Sequence, residues 1–140
     1  MPKIILGNIH SDDRGSLLYN NDFDATSVKR VYFIENRDLD FKRGWQGHKI
    51  EQRWFSAVAG SFEITLIKID DWQMPIQLSS RIKYILGAQH FTILHVPSGY
   101  ITSIQALSDS SRLMAMSDYL LNEIEDNFRF DINYFSIRSK

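Results

Sequence analysis

The feature that most limits what this chain can fold into is a succession of short apolar runs, each cut off by residues that favour turns. The clearest run is residues 28–35, VKRVYFIE, with polar sequence on both sides. Side chains of an extended strand alternate between two faces, so Val28, Arg30, Tyr32 and Ile34 share one face. Residues 54–59 and 62–69 form two more runs, separated by Gly60-Ser61, and that junction predicts a tight hairpin. Residues 91–96, 100–107 and 112–117 follow, with Pro97-Ser98-Gly99 and Ser108-Asp109-Ser110 as the turns between them. Gly99 is expected at a turn position that needs positive φ.

Aromatic residues make up 13% of the chain and β-branched residues are frequent, which favours strands further. Many short strands, with turn chemistry about every 8–12 residues, predict an all-β sandwich or closed barrel. Only residues 119–127, YLLNEIEDN, read as helical, giving one short helix near the C-terminus. No repeat, low-complexity tract or linker divides the sequence. The 140 residues suit one domain, 1–140, with a single core.

Composition removes several classes of function. The formal net charge of -1 gives no general attraction to nucleic acid or anionic lipid, so neither is expected as a partner. With no cysteine there are no disulfides, thiolate nucleophiles or cysteine zinc sites. The first residues, MPKIILGNIHSDDRG, turn polar too early for a secretory leader. No apolar run approaches the roughly 20 residues that span a bilayer. The expected location is the cytoplasm.

Four segments in order carry a family resemblance. They are Asp13-Arg14-Gly15-Ser16-Leu17; Ser27-Val28-Lys29-Arg30-Val31-Tyr32-Phe33-Ile34; Arg43-Gly44-Trp45-Gln46-Gly47-His48-Lys49; and Val96-Pro97-Ser98-Gly99-Tyr100, continuing through Ile104-Gln105-Ala106-Leu107-Ser108-Asp109 to Ser117-Asp118-Tyr119. Together they sample the chain from about residue 13 to 119. They resemble the sugar 3,4-ketoisomerases and the related dTDP-4-dehydrorhamnose 3,5-epimerases. The third segment is similar to the ketoisomerase pattern Arg-Gly-x-His-x-His-Lys. The resemblance implies a cupin-type jelly-roll β-barrel, a homodimer, and no metal or other cofactor. It also implies a nucleotide-linked keto sugar as ligand, such as a dTDP-4-keto-6-deoxyhexose used in surface polysaccharide biosynthesis.

The residues bear on this one by one. Many cupins hold a divalent metal with a His-x-His pair, a nearby carboxylate and a later His. Here the pair is Gln46-Gly47-His48, Glu51 and Gln52 follow, and Tyr100-Ile101-Thr102 contains no His. A neutral amide is a poor ligand for a transition metal, so no metal site is expected. Moving a carbonyl to the neighbouring carbon needs a base near neutrality and a group that holds an enediolate. Imidazole is the natural base, and the resemblance puts His48 at the second histidine of the pair. Tyr32, on the Arg30 face, is the other catalytic candidate, as a donor to the enediolate or a sugar hydroxyl. Arg14, Arg30 and Arg43 are expected to bind the diphosphate or oxyanion, since guanidinium matches both in geometry and charge. Gln46 is placed beside the substrate. Trp45, Trp54 and Trp72 are read as core or dimer contacts, and His10, His90 and His95 as structural.

Three positions depart from the pattern. Gln46 replaces the first histidine, which also aligns with the epimerases' catalytic base. Met114 falls near the epimerases' acid tyrosine. Ile101 stands where ketoisomerases often carry another histidine. The expectation is therefore a nucleotide-sugar isomerase of the 3,4-ketoisomerase kind, using His48. The alternative is a non-catalytic binder that keeps the cavity without the chemistry.

Overall fold

The computed structural model describes residues 1–137. Its strands are β1 (Lys3–Ile5), β2 (Asn8–Asp12), β3 (Gly15–Tyr19), β4 (Arg30–Ile34), β5 (Lys42–His48), β6 (Arg53–Ala59) and β7 (Ser61–Lys68). They continue as β8 (Leu78–Ser79), β9 (Ile82–Gly87), β10 (Ile93–Val96), β11 (Tyr100–Ala106), β12 (Arg112–Ser117), β13 (Phe128–Arg129) and β14 (Ser136–Ile137). Two five-stranded antiparallel sheets carry the fold, ordered β1-β10-β6-β12-β4 and β13-β5-β11-β7-β9. Strands β2 and β3 pair only with each other, and the short β14 and β8 pair in parallel.

The main core lies between the sheets. Phe55 and Ala57 of β6, Leu94 of β10, and Leu113 and Ala115 of β12 meet Phe62, Ile64 and Leu66 of β7, Leu86 of β9 and Ile104 of β11. Fully burying a side chain of this size contributes roughly 1.5–3 kcal/mol, so this interlayer dominates stability. Two smaller clusters cover the outer faces. Trp45, Ile67 and Ile101 pack under Phe135 on the second sheet, and Trp54, Ile93 and Met116 lie under Phe23 and Phe91 on the first. Trp45 and Trp54 are thus core residues, and Trp72 packs half-buried at the edge of its cluster.

Three expectations are corrected. Residues 54–59 and 62–69 are strands, but they do not form a hairpin: β6 belongs to the first sheet and β7 to the second. Gly60, at φ +65°, carries the chain across the sandwich. Both strands are buried on two faces, so their runs lack the alternation that separates a hairpin from a crossover. The sheets face each other without closing into a barrel. Finally, residues 119–127 form turns and irregular chain, and the described residues contain no helix. So short a segment gains too few helical hydrogen bonds to offset nucleation. Asn122 sits at φ +64°, and Asp126 spends its carboxylate on the backbone of residues 49–51. With no such helix present, none is long and apolar enough to cross a membrane.

Candidate active site

A cavity of about 1080 Å³ opens between the sheets, and β4, β5, β6, β11 and residues 120–129 line it. Strand parity places its residues. On β4, Arg30, Tyr32 and Ile34 turn inward, as their shared face predicts, and Val31 and Phe33 are exposed. On β5, Gln46 and His48 line the cavity, and Gly47 between them lets β5 and β11 approach closely. A Cβ at Gly47 would lie 2.2 Å from the Tyr100 carbonyl oxygen. Gly99, at φ +95°, makes the β10–β11 turn, as expected. Its N–H donates to the His48 carbonyl at 2.9 Å, which ties that turn to the end of β5.

His48 is only 7% exposed. Its Nδ1 lies 2.7 Å from the Asp126 carbonyl oxygen. A carbonyl can only accept, so Nδ1 carries the proton and Nε2 offers a lone pair. That lone pair receives Nη2 of Arg53, while Arg53 Nη1 donates to the Tyr32 hydroxyl and Nε to Glu51. One guanidinium therefore joins both predicted catalytic side chains. Burial, and next the Arg53 charge, hold His48 below the ordinary histidine range, against smaller opposing effects of Glu51 and Asp126. The imidazole is neutral at pH 7, the form a general base needs.

Asp126 builds the floor of this cluster. Its carboxylate accepts the N–H groups of Lys49, Ile50 and Glu51 at 2.9, 2.8 and 2.7 Å, and its carbonyl orients His48. Arg30 stacks its guanidinium 4.8 Å from the Tyr32 ring centre, and its buried Nε has no partner among the described residues. A buried donor of this kind is suited to a ligand oxygen. Arg43 stands at the rim, its Nε 3.4 Å from Asn36 Oδ1, and Gln46 donates to Asn127 at 2.8 Å. Five arginines (Arg30, Arg43, Arg53, Arg112, Arg129) face three carboxylates (Glu35, Glu51, Asp126), so the cavity favours an anion.

The structure thus brings together Tyr32, Arg30, Arg43, Gln46 and His48. It does not bring Arg14 there. Arg14 sits at the tip of the β2–β3 hairpin, 84% exposed and 2.7 Å from Asp12, and does not line the cavity. Sequence reasoning passed over Arg53 and Asp126 altogether and weighed Glu51 only as a metal ligand. For Arg53 a signal existed: it opens the run Arg53-Trp54-Phe55, where a cation at the head of a core strand demands a partner. Asp126 gave no such signal within an acidic stretch. Among the described residues, no three His, Asp or Glu side chains converge as a metal site. His10 is exposed on the hairpin, His90 lies in an exposed turn, and His95 stacks on Trp54 at 5.2 Å and bonds Gln52 at 2.7 Å.

No family model matches the chain, and no curated protein does. Solved structures do match. A variant of the 3,4-ketoisomerase QdtA from Thermoanaerobacterium thermosaccharolyticum, in complex with TDP-4-keto-6-deoxyglucose, superposes with a TM-score of 0.71 at 20% identity, over 95% of this chain and 90% of that one. A 3,4-ketoisomerase from Helicobacter canadensis gives 0.68 at 25% identity, over 89% and 88%. The rmlC epimerase of Mycobacterium tuberculosis gives 0.70 at 19% identity, over 91% and 68%. Folds similar to this sandwich are thus found in the two kinds of protein that the sequence motifs resemble.

Proposed function

We propose that the chain is a nucleotide-sugar isomerase of the 3,4-ketoisomerase kind, acting on a dTDP-4-keto-6-deoxyhexose in surface polysaccharide biosynthesis. The observation that carries this reading is the buried cluster in which Arg53 joins a neutral His48 to Tyr32. The likeness in fold to proteins named as acting on or binding TDP-sugars supports it.

The chemistry follows from the cluster. When the substrate carbonyl draws Arg53 toward its oxygen, the Nε2 lone pair of His48 is released and takes the proton from the carbon next to the ketone. The electron pair moves onto the carbonyl oxygen as an enediolate, which the Arg53 cation stabilises. A proton passes from the neighbouring hydroxyl oxygen to the former carbonyl oxygen. The protonated His48 then returns its proton to the former carbonyl carbon, leaving the ketone one carbon along. Tyr32 accepts from Arg53 through its oxygen and keeps its own proton for a sugar oxygen. Arg30 and Arg43 hold the diphosphate, with Gln46 beside the sugar. No step calls for a metal or cofactor.

The protein acts as one cytoplasmic domain and a homodimer, with neither nucleic acid nor membrane as a partner. Exposed Val31 and Phe33 on edge strand β4, and exposed Ile9, Leu17 and Leu18 on the free β2–β3 hairpin, support the dimer. A second copy is also the route by which Arg14 reaches a cavity.

Two observations favour the second reading, a binder without chemistry. Gln46 replaces a histidine and is tied to Asn127, and Arg53 covers the His48 lone pair. Solvent-deuterium incorporation into dTDP-4-keto-6-deoxyglucose separates the two. Incorporation by the wild type supports the isomerase. Tight binding without incorporation supports the binder.

A further inference from the structure

A second cavity, of about 590 Å³, lies on the other face of the second sheet. Alternation along the strands shows this. Arg43, Thr102 and Ile104 line the first cavity, whereas their neighbours Lys42, Ser103 and Gln105 line the second. The C-terminal segment around Phe135 covers this sheet face over Trp45, Ile67 and Ile101. Beside that cover the sheet surface is open and polar.

Its floor is built from Thr65 and Ser103, which are paired across β7 and β11 and each 6% exposed. Both side chains line the cavity. Arg81, just before β9, lies 5.1 Å from the Trp45 ring centre and donates Nη2 to the Phe135 carbonyl at 2.9 Å. Its Nε is buried with no partner among the described residues. Around the rim, Lys83 is paired with Glu63 at 3.8 Å and Arg37 with Asp38 at 3.6 Å. Lys42 and Arg81 have no carboxylate partner among the described residues. A half-buried cation with an idle N–H, beside two hydroxyls on the cavity floor, offers donors that a water-excluding ligand would satisfy.

We propose that this cavity binds a small hydroxylated anion, a sugar phosphate or a sugar acid. Arg81 and Lys42 take its charge, and Thr65 and Ser103 take its hydroxyls. The proposal does not depend on the chemistry assigned to the first cavity.

The test is a titration of ¹⁵N-labelled protein followed residue by residue. Glucose 1-phosphate and glucuronate are the two candidate arms, and inorganic phosphate and methyl glucoside the controls. The expected result is saturable shifts at the amides of Thr65, Lys83 and Ser103, with a Kd on the order of 1 mM. Whichever arm binds identifies the anion. Arg81→Gln should weaken binding by roughly tenfold or more, the usual scale for a charged hydrogen bond. Thr65→Val with Ser103→Ala should weaken the sugar arms and leave inorganic phosphate unchanged. If Arg81→Gln does not fold, Lys42→Gln, at an exposed rim position, supplies the charge test. Shifts confined to the surroundings of His48 and Tyr32, no shifts at all, or affinity indifferent to these substitutions would overturn the proposal.

Discussion

Arg53 donates a hydrogen bond to the Nε2 lone pair of His48, on an imidazole whose other nitrogen is committed to the Asp126 carbonyl. The imidazole is held in one tautomer with its lone pair covered. The same guanidinium reaches Tyr32 and Glu51, so one side chain sets the electrostatics of the whole cluster.

Arg53→Met should therefore act on both activity and stability. Removing a preorganised donor to a developing oxyanion typically costs 10²–10³-fold in kcat, and a loss of about that size is expected. The change also leaves buried Glu51 without its ion pair, at a cost of roughly 3 kcal/mol. Turnover assays and urea denaturation measure the two effects separately. A variant that keeps full turnover would remove Arg53 from the mechanism.

Asp126 is expected to matter more for the frame than for the chemistry. Asp126→Ala strands three backbone donors, and at about 1–3 kcal/mol for each unsatisfied group, shared because the loop relaxes, a total near 3 kcal/mol is expected. Asp126→Asn retains an acceptor oxygen and the backbone carbonyl to His48, so it should be milder. Equal thermal stability of both variants and the wild type would show that the 49–51 turn holds itself.

The lowered pKa of His48 gives stability a pH dependence of known sign. Between the folded pKa and the unfolded value near 6.5, the unfolded chain binds more protons than the folded one. The contribution is therefore complete above about pH 6.5 and is lost as pH falls through the folded pKa. His95 is shifted the same way, chiefly by burial, and adds to the effect. Denaturation midpoints should decline below about pH 6.5, and less steeply in His48→Gln than in wild type. Identical slopes would mean that His48 is not neutral in the fold.

The sequence was legible where alternation was clean. On β4 the inward face of Arg30 and Tyr32 follows from parity alone, and Gly99 was placed at positive φ by its turn. Legibility failed where both faces of a strand are buried. The runs of β6 and β7 look like a hairpin, and only the pairing of each with a different sheet shows the crossover. It failed also where function depends on contacts far along the chain. Asp126 meets residues 49–51 across a separation that no local pattern marks, and its segment reads as a helix because its apolar residues happen to be suitably spaced. Arg14 lies in a motif that the resemblance ties to the substrate, yet its own chain carries it away from the cavity.

That hairpin bears on assembly. A two-stranded hairpin is marginal by itself in water, and this one exposes Ile9, Leu17 and Leu18. Light scattering at micromolar concentration should report twice the 16.4 kDa chain mass. Replacing Val31 and Phe33 with lysine should shift the population toward monomer if β4 forms part of the contact. A wild-type monomer at all concentrations would count against the dimer and against any role for Arg14 at a site.

The decisive measurement concerns His48 and Gln46 together. With glutamine at position 46, His48 is the only histidine among the described residues that line the cavity, so in the proposed reaction proton removal and return both fall to it. His48→Asn keeps a polar side chain of similar reach and cannot take up a proton near neutrality. Turnover and solvent-deuterium incorporation into dTDP-4-keto-6-deoxyglucose should fall by about 10²–10⁴-fold, the usual contribution of a general acid–base group, with binding largely kept. Gln46→His should preserve or raise turnover, because a second imidazole would share the two proton transfers. Incorporation that persists undiminished in His48→Asn would assign the base elsewhere. If the wild type binds the sugar nucleotide and incorporates no deuterium, while Gln46→His does incorporate it, the cavity is a binder whose chemistry fails for want of that one imidazole.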